Sequence, residues 1–115
     1  MIHYDLRPDN IIITNPYSWA LVCDWNWLRF GPAWVDTVSL LISASAHHDV
    51  DALLAAHPTT AGMPGRAVES QLAAYAGRLL AIGSRPPATD SPYLNVYRYQ
   101  AGVNALNWLR RRMHW

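Results

Sequence analysis

A short apolar hairpin between two polar residues limits, more than any other feature, what this chain can fold into. Asn10 is followed at once by the β-branched run Ile11-Ile12-Ile13-Thr14, and Asp24 follows a second apolar run, Trp19-Ala20-Leu21-Val22-Cys23. The four residues between the runs, Asn15-Pro16-Tyr17-Ser18, have the composition of a turn. Two short strands joined by such a turn predict an antiparallel hairpin. Because its strands run in opposite directions, Asn10 and Asp24 are expected at the same end.

The eight residues that lead into this hairpin form a second informative pattern. His3-Tyr4-Asp5-Leu6-Arg7-Pro8-Asp9-Asn10 fits H-x-D-L-x-x-x-N, the catalytic-loop pattern of kinase-type phosphotransferases. Phosphoryl transfer from ATP needs a carboxylate near the acceptor hydroxyl and oxygen ligands for the Mg²⁺ that bridges the phosphates. Asp5, Asn10 and Asp24 are those residue types in that order. The apolar run directly after Asn10 weighs against a chance set of turn residues.

The pattern predicts a role for each of its polar side chains. We expect Asp5 to act as the general base for the acceptor hydroxyl, or to orient it. Asn10 and Asp24 are expected to bind Mg²⁺ and, with it, the cofactor ATP. His3 is expected to support the loop from behind. Arg7 is expected to face the transferring phosphoryl group, where its fixed charge is most useful.

Beyond the hairpin the sequence predicts an irregular loop and about four helices. The loop is closed by Gly31-Pro32. Apolar residues then recur at helical spacing in four segments, 34–46, 49–56, 66–82 and from about 91 to the end. Asp49 is suited to cap the second helix, and Ser91 followed by Pro92 is suited to begin the last one.

Composition excludes several classes of protein. With 115 residues, 51% hydrophobic and 15% charged, the chain is expected to form one small globular domain. We expect no signal peptide before the motif, and no apolar run in this sequence approaches the length of a membrane span. We therefore expect a cytoplasmic protein without a membrane partner, in a compartment where ATP is available.

The segment from His3 to about Leu41 resembles the aminoglycoside phosphotransferase family, the small-molecule branch of the protein-kinase-like fold. The stretches HYDLRPDNIIIT, LVCDWNW and GPAWVDTVSLL carry the resemblance. It implies a catalytic Asp5, with Asn10 and Asp24 as metal ligands. It also implies that Asp36, on the helix after the metal loop, hydrogen-bonds the catalytic-loop backbone as structural support. An N-terminal helical acid is favoured by the helix dipole as well, and the two roles are compatible.

The sequence departs from the family pattern at three positions. Tyr4 stands where members often have glycine, Arg7 where they often have histidine, and Asn26 where an acidic residue is common. A protein kinase is disfavoured in spite of the shared motif. Only eleven residues separate Asp24 from Asp36, which leaves no room for an activation segment.

The fold expected from the resemblance is α+β and mostly helical, the C-terminal lobe of the kinase-like fold. One partial domain would comprise the catalytic loop 3–10, the hairpin 11–23, the metal loop 24–33 and the helical part 34–115, with the N-terminal nucleotide lobe absent. We expect the catalytic C-terminal portion of an ATP-dependent phosphotransferase acting on a small-molecule hydroxyl. The alternative is an inactive remnant, or one chain of a split enzyme that acts only as a binding module.

Charge is unevenly spread along the chain and bears on its partners. The net charge is +1, with −2 in residues 1–36 and +3 in residues 37–115. A polycationic acceptor is therefore disfavoured, and we expect a neutral or anionic one. A missing N-terminal lobe is the other expected partner.

Nucleic acid is not expected, since the basic run Arg110-Arg111-Arg112 also suits a helix C-terminus. A metal site at His47-His48-Asp49-x-Asp51 is disfavoured because adjacent helical side chains point apart.

Overall fold

The structure, a computed structural model, describes residues 1–15, 19–87 and 91–115. As predicted, these residues form a mostly helical α+β arrangement of one two-stranded antiparallel hairpin and four α-helices. The strands are β1, Ile11–Ile13, and β2, Ala20–Val22. The helices are α1, Trp34–Ala44, α2, Val50–Ala56, α3, Ala67–Gly83, and α4, Leu94–Met113. Single turns of 3-10 helix occupy Pro8–Asn10, Trp25–Trp27 and Pro58–Thr60.

The hairpin has the register that brings its polar ends together. Ile12 pairs with Leu21 at the centre of the two strands. Beyond the last strand pair, the Cys23 N–H donates to the Asn10 carbonyl at 2.9 Å. Asn10 and Asp24 therefore lie at the same end of the hairpin, as predicted. Three residues of the predicted turn, Pro16-Tyr17-Ser18, lie outside the described residues.

The hydrophobic core lies among the four helices, with α3 and α4 as its largest pair. Its largest fully buried side chains are Val38, Val50, Val68, Leu72 and Trp108. The helices α3 and α4 run antiparallel and lie in close contact. If Gly102 had a Cβ, that atom would lie only 2.9 Å from Leu80. Because glycine has no side chain, the two helix backbones can approach each other at this point.

A polar network fixes the far end of α4 to the two preceding helices. The Arg112 guanidinium pairs with Asp51 of α2, and its Nε donates to Glu69 of α3 at 2.7 Å. Trp108 Nε1 donates to the same Asp51 carboxylate at 3.2 Å. Burial raises the pKa of Glu69, but hydrogen bonds from its own backbone N–H and from Arg112 outweigh this and leave the pKa below its ordinary value. Glu69 is thus an ionised partner of Arg112.

Two helix boundaries differ from the sequence prediction. Helix α4 begins at Leu94 with Tyr93 as N-cap, so the prediction that Ser91 caps it is wrong. The Leu94 N–H donates to the Ser91 carbonyl, which makes this segment a turn before the helix. Helix α1 ends at Ala44 because the N–H groups of the following histidines close a turn onto the Ala44 carbonyl.

The hairpin and the loop after it lie outside the helical core. Ile13, Trp19 and Phe30 are mostly exposed, with Phe30 at 93%. Exposed apolar groups concentrated in one region favour association between molecules. None of the helices that the structure describes combines the length and the apolar character needed to cross a lipid bilayer.

Candidate active site

Three of the predicted site residues line the same cavity. Asp5, Arg7 and Asp24 line a cavity of about 270 Å³ whose other walls come from α1, α3 and α4. His3 and Asn10 are buried, at 1% and 5% exposure, beside the loop segments that face the cavity. The catalytic-loop motif and the end of the hairpin thus meet at a single concave surface.

His3 joins the catalytic loop to the hairpin. Its Nε2 lies 2.8 Å from the Cys23 carbonyl, and its Nδ1 accepts a hydrogen bond from the Asp5 N–H at 3.3 Å. Since Nδ1 accepts from an N–H and Nε2 faces a carbonyl, the ring proton is placed on Nε2. The Trp25 ring packs against the imidazole at a centroid distance of 4.8 Å. A neutral His3 therefore holds Asp5 and the end of β2 together.

The backbone of Asp5 is fixed on both sides. Its N–H donates to His3 and its carbonyl accepts from Asn10 Nδ2 at 2.9 Å. Its carboxylate remains partly accessible, at 35% exposure. Held by two neighbours of the same motif, Asp5 can present a carboxylate to the cavity without reorganising its backbone.

Asn10 and Asp24 lie at the same end of the hairpin, but only Asp24 lines the cavity, and Asn10 is buried. Because Asn10 donates its amide N–H to Asp5, its Oδ1 is the atom left to accept or to bind a cation. Asp24 has a left-handed backbone, with φ of 62°, and one of its carboxylate oxygens accepts from Asn26. The amide of Asn26, at a position where the family often has an acid, thus orients the carboxylate beside it.

These donors fit Mg²⁺ in chemical type. Mg²⁺ prefers oxygen ligands and is commonly bound through one or two carboxylates together with substrate phosphates. Across the described part of the chain, no three His, Cys, Asp or Glu side chains lie close enough to share a metal ion. The acidic residues of the disfavoured metal site near His47 have other partners. Asp49 caps α2 by accepting from the N–H groups of Asp51 and Ala52, and Asp51 pairs with Arg112.

Asp36 links the start of α1 to the catalytic loop. Its Oδ2 accepts from the His3 N–H at 2.6 Å and its Oδ1 from the Tyr4 N–H at 2.9 Å. The partners are 33 and 32 residues away in sequence. This is the contact with the catalytic-loop backbone that the family resemblance implies, and it places both carboxylate oxygens on one short loop.

Arg7 lies in the cavity beside the candidate base. Its guanidinium is 3.6 Å from Asp5 and 3.3 Å from Asp9, and it lies over the Tyr97 ring at 5.5 Å. Among the described residues, the buried Arg7 Nε has no hydrogen-bond partner. The position is compatible with contact to a phosphoryl group, which stays a prediction.

No sequence pattern predicted the helical wall of the cavity. Tyr75, Arg78 and Arg98 line it, and Tyr75 fits equally well into the apolar stripe of α3. The Tyr75 hydroxyl lies 2.7 Å from Ser39 Oγ. Burial raises the pKa of the Tyr75 phenol, so the hydroxyl stays protonated near neutral pH.

Tyr4 occupies a backbone conformation that suits glycine. Its φ is 66°, in the left-handed region where a Cβ costs about 1–2 kcal/mol. This conformation gives a physical reason why related motifs often have glycine at this position. Like Asp24, Tyr4 is a non-glycine residue with positive φ at the cavity.

Replacing Tyr4 by glycine and by alanine is expected to separate backbone strain from side-chain loss. Both changes remove the phenol, but only Tyr4→Gly removes the Cβ. We expect Tyr4→Gly to be more stable than Tyr4→Ala by about 1 kcal/mol in urea unfolding, after the greater flexibility of unfolded glycine is included. Equal midpoints for the two variants would contradict a strained loop.

Comparison with protein-family models, with curated proteins and with solved structures found no match for this chain. The candidate site therefore stands on its own residues and geometry.

Proposed function

We propose that this chain carries the catalytic site of an ATP-dependent phosphotransferase that acts on a small-molecule hydroxyl. The fold we propose is the C-terminal lobe of the protein-kinase-like fold, of the aminoglycoside phosphotransferase type. One observation carries the proposal. Asp5 and Asp24 line the same cavity, while His3 and Asn10 fix the backbone of Asp5 from both sides.

Each residue has a defined task in the proposed reaction. Asp5 accepts a hydrogen bond from the acceptor hydroxyl and takes its proton as the oxygen attacks the γ-phosphorus of ATP. The bond from the γ-phosphorus to the β,γ-bridging oxygen breaks, and ADP leaves with that oxygen. Arg7, which contacts the Asp5 carboxylate, also balances negative charge on the transferring group. His3 and Asp36 hold the loop so that Asp5 meets the hydroxyl in one orientation.

Asn10 Oδ1 and the carboxylate of Asp24 are the atoms that would hold Mg²⁺. When bound, the ion neutralises charge on the phosphates of ATP. Asn26 keeps the Asp24 carboxylate oriented through its amide, and the Asn10 carbonyl keeps the hairpin end closed by accepting from Cys23.

Transfer of label from [γ-³²P]ATP to a panel of small hydroxyl compounds tests the proposal in the natural protein that contains this sequence. We expect Mg²⁺-dependent transfer. Asp24→Asn should raise the Mg²⁺ concentration needed for half-maximal transfer by more than about tenfold. Loss of a residue that only contacts a metal ligand already weakens metal binding roughly tenfold, and Asp24 is proposed as a direct ligand. Asp49→Asn is the matched control, because Asp49 caps α2 and does not line the cavity.

Two results would count against the proposal. Transfer that Asp24→Asn leaves unchanged would remove this residue from the metal site. Binding of ATP or of a hydroxyl compound without any transfer would favour the alternative, a binding module without catalysis.

A further inference from the structure

The helical wall of the cavity carries two arginines that the proposed transfer chemistry does not use. Arg78 on α3 and Arg98 on α4 line the same cavity as Asp5. Arg7, the third arginine of the lining, is already in contact with Asp5. The two helical arginines therefore add positive charge to the wall that faces the candidate base.

Neither of these arginines forms an ion pair with a carboxylate in the part of the chain that the structure describes. The ion pairs there involve Arg7 and Arg112. Arg98 is half-buried and donates one N–H to Asn95 Oδ1 at 3.2 Å, which leaves most of its donors available. Arg78 is exposed. An arginine beside a concave surface that is not paired with a carboxylate is suited to bind an anion.

Apolar side chains also contribute to this wall, beside the hydroxyl groups of Tyr75 and Ser39. Leu79, Ile82 and Leu94 line the cavity beside the arginines. Small-molecule sites are typically apolar surfaces with a few placed polar groups that fix the orientation of the ligand. A cavity of about 270 Å³ admits a small metabolite, with its carbon atoms against the leucines and its polar ends against charged side chains.

We propose that Arg78 and Arg98 bind an anionic group, a carboxylate or a phosphate, on the acceptor whose hydroxyl faces Asp5. The planar guanidinium matches both anions through paired N–H donors. The acceptor is then a hydroxylated organic acid or a phosphorylated hydroxyl compound, and polycations are repelled from this wall. The inference rests on the proposed function only in naming the ligand as the acceptor.

Binding without ATP tests this inference separately from catalysis. The probes are 3-phenyllactate, which carries a hydroxyl and a carboxylate on an apolar body, its neutral analogue 3-phenyl-1,2-propanediol, and glycerol 3-phosphate. In titrations followed by NMR, we expect an anionic probe to bind at least about tenfold more tightly than the neutral diol. Tighter binding of 3-phenyllactate indicates a carboxylate acceptor, and tighter binding of glycerol 3-phosphate indicates a phosphate acceptor.

Single substitutions then locate the anion. Arg78→Gln and Arg98→Gln should each weaken binding of the preferred anion about tenfold and leave the neutral diol unchanged. Arg110→Gln is the matched control, since Arg110 is an exposed arginine in the last turn of α4 that does not line the cavity. Thermal melting of each variant confirms that it is folded.

The outcomes separate this inference from the proposed function. Equal binding of the diol and both anions to the unmodified protein would overturn the inference, and that result does not depend on any variant folding. Tight binding of spermidine would overturn it too. Anion selectivity that is lost in both cavity variants, in a protein that transfers no phosphate, would support the inference and refute the proposed function.

Discussion

Asp5→Asn is expected to lower kcat for phosphoryl transfer by about a thousandfold, within the range that loss of a general base causes. The change is nearly isosteric, and the backbone contacts of Asp5 with His3 and Asn10 do not involve its side chain. The loop should therefore keep its geometry while it loses the carboxylate that accepts the hydroxyl proton. Because the role proposed for Asp5 concerns the acceptor hydroxyl, KM for ATP should change much less than kcat.

Asp9→Asn is the matched control for this prediction. Asp9 also contacts the Arg7 guanidinium, at 3.3 Å, but it is 59% exposed and does not line the cavity. Steady-state kinetics of both variants should show a large fall in kcat for Asp5→Asn alone. A variant at Asp5 that retained a tenth of the kcat would remove this residue from its assigned role. An equal fall in kcat for both variants would indicate that activity depends on the ion pairs of Arg7 and not on a base at Asp5.

The local part of the fold could be predicted from the sequence because its signals lie close together in the chain. The β-branched run after Asn10 and the apolar run before Asp24 predicted the hairpin, which the structure contains with Ile12 paired to Leu21. Apolar periodicity predicted all four helices within a few residues. Asp49 caps α2 as expected, because its carboxylate needs only the next turn of backbone.

The capping pattern at Ser91-Pro92 predicted the wrong first residue for α4. Ser91-Pro92 has the composition of an N-cap followed by a first-turn proline, yet Ser91 uses its carbonyl to accept from Leu94 in a turn. The helix then starts at Leu94 with Tyr93 as a cap that contributes no side-chain hydrogen bond. A cap is a weak preference of about 1 kcal/mol, and the packing of α4 against α3 can override it.

The helical wall of the cavity could not be predicted, because its residues come together only through tertiary packing. Tyr75 belongs to the apolar stripe of α3, and its hydroxyl partner Ser39 is 36 residues away. Arg78 and Arg98 meet the loop of Asp5 only once α3 and α4 have packed. Nothing in a sequence separates such arginines from those that lie on solvated helix faces.

Asp36→Ala is expected to destabilise the protein by about 3 kcal/mol, because two backbone N–H groups of the catalytic loop lose a charged acceptor. The His3 side chain is buried, so its backbone N–H has little access to water as a substitute. For a domain of this size the loss corresponds to a fall in Tm of roughly 10–20 °C. The Tm of Asp36→Asn should lie between those of the unchanged protein and of Asp36→Ala. The asparagine amide keeps one acceptor oxygen but faces the second N–H with a donor.

Asp49→Ala is the control that separates this loop contact from an ordinary cap. Asp49 also accepts from two backbone N–H groups, at 3.2 and 3.4 Å, but both belong to the next turn of its own helix. Its loss should cost about 1 kcal/mol, as for a typical N-cap. If thermal melting gave the two alanine variants the same Tm, Asp36 would act only as a helix N-terminal acid. A larger loss at Asp36 would show that a contact across 33 residues holds the loop of Asp5 in place.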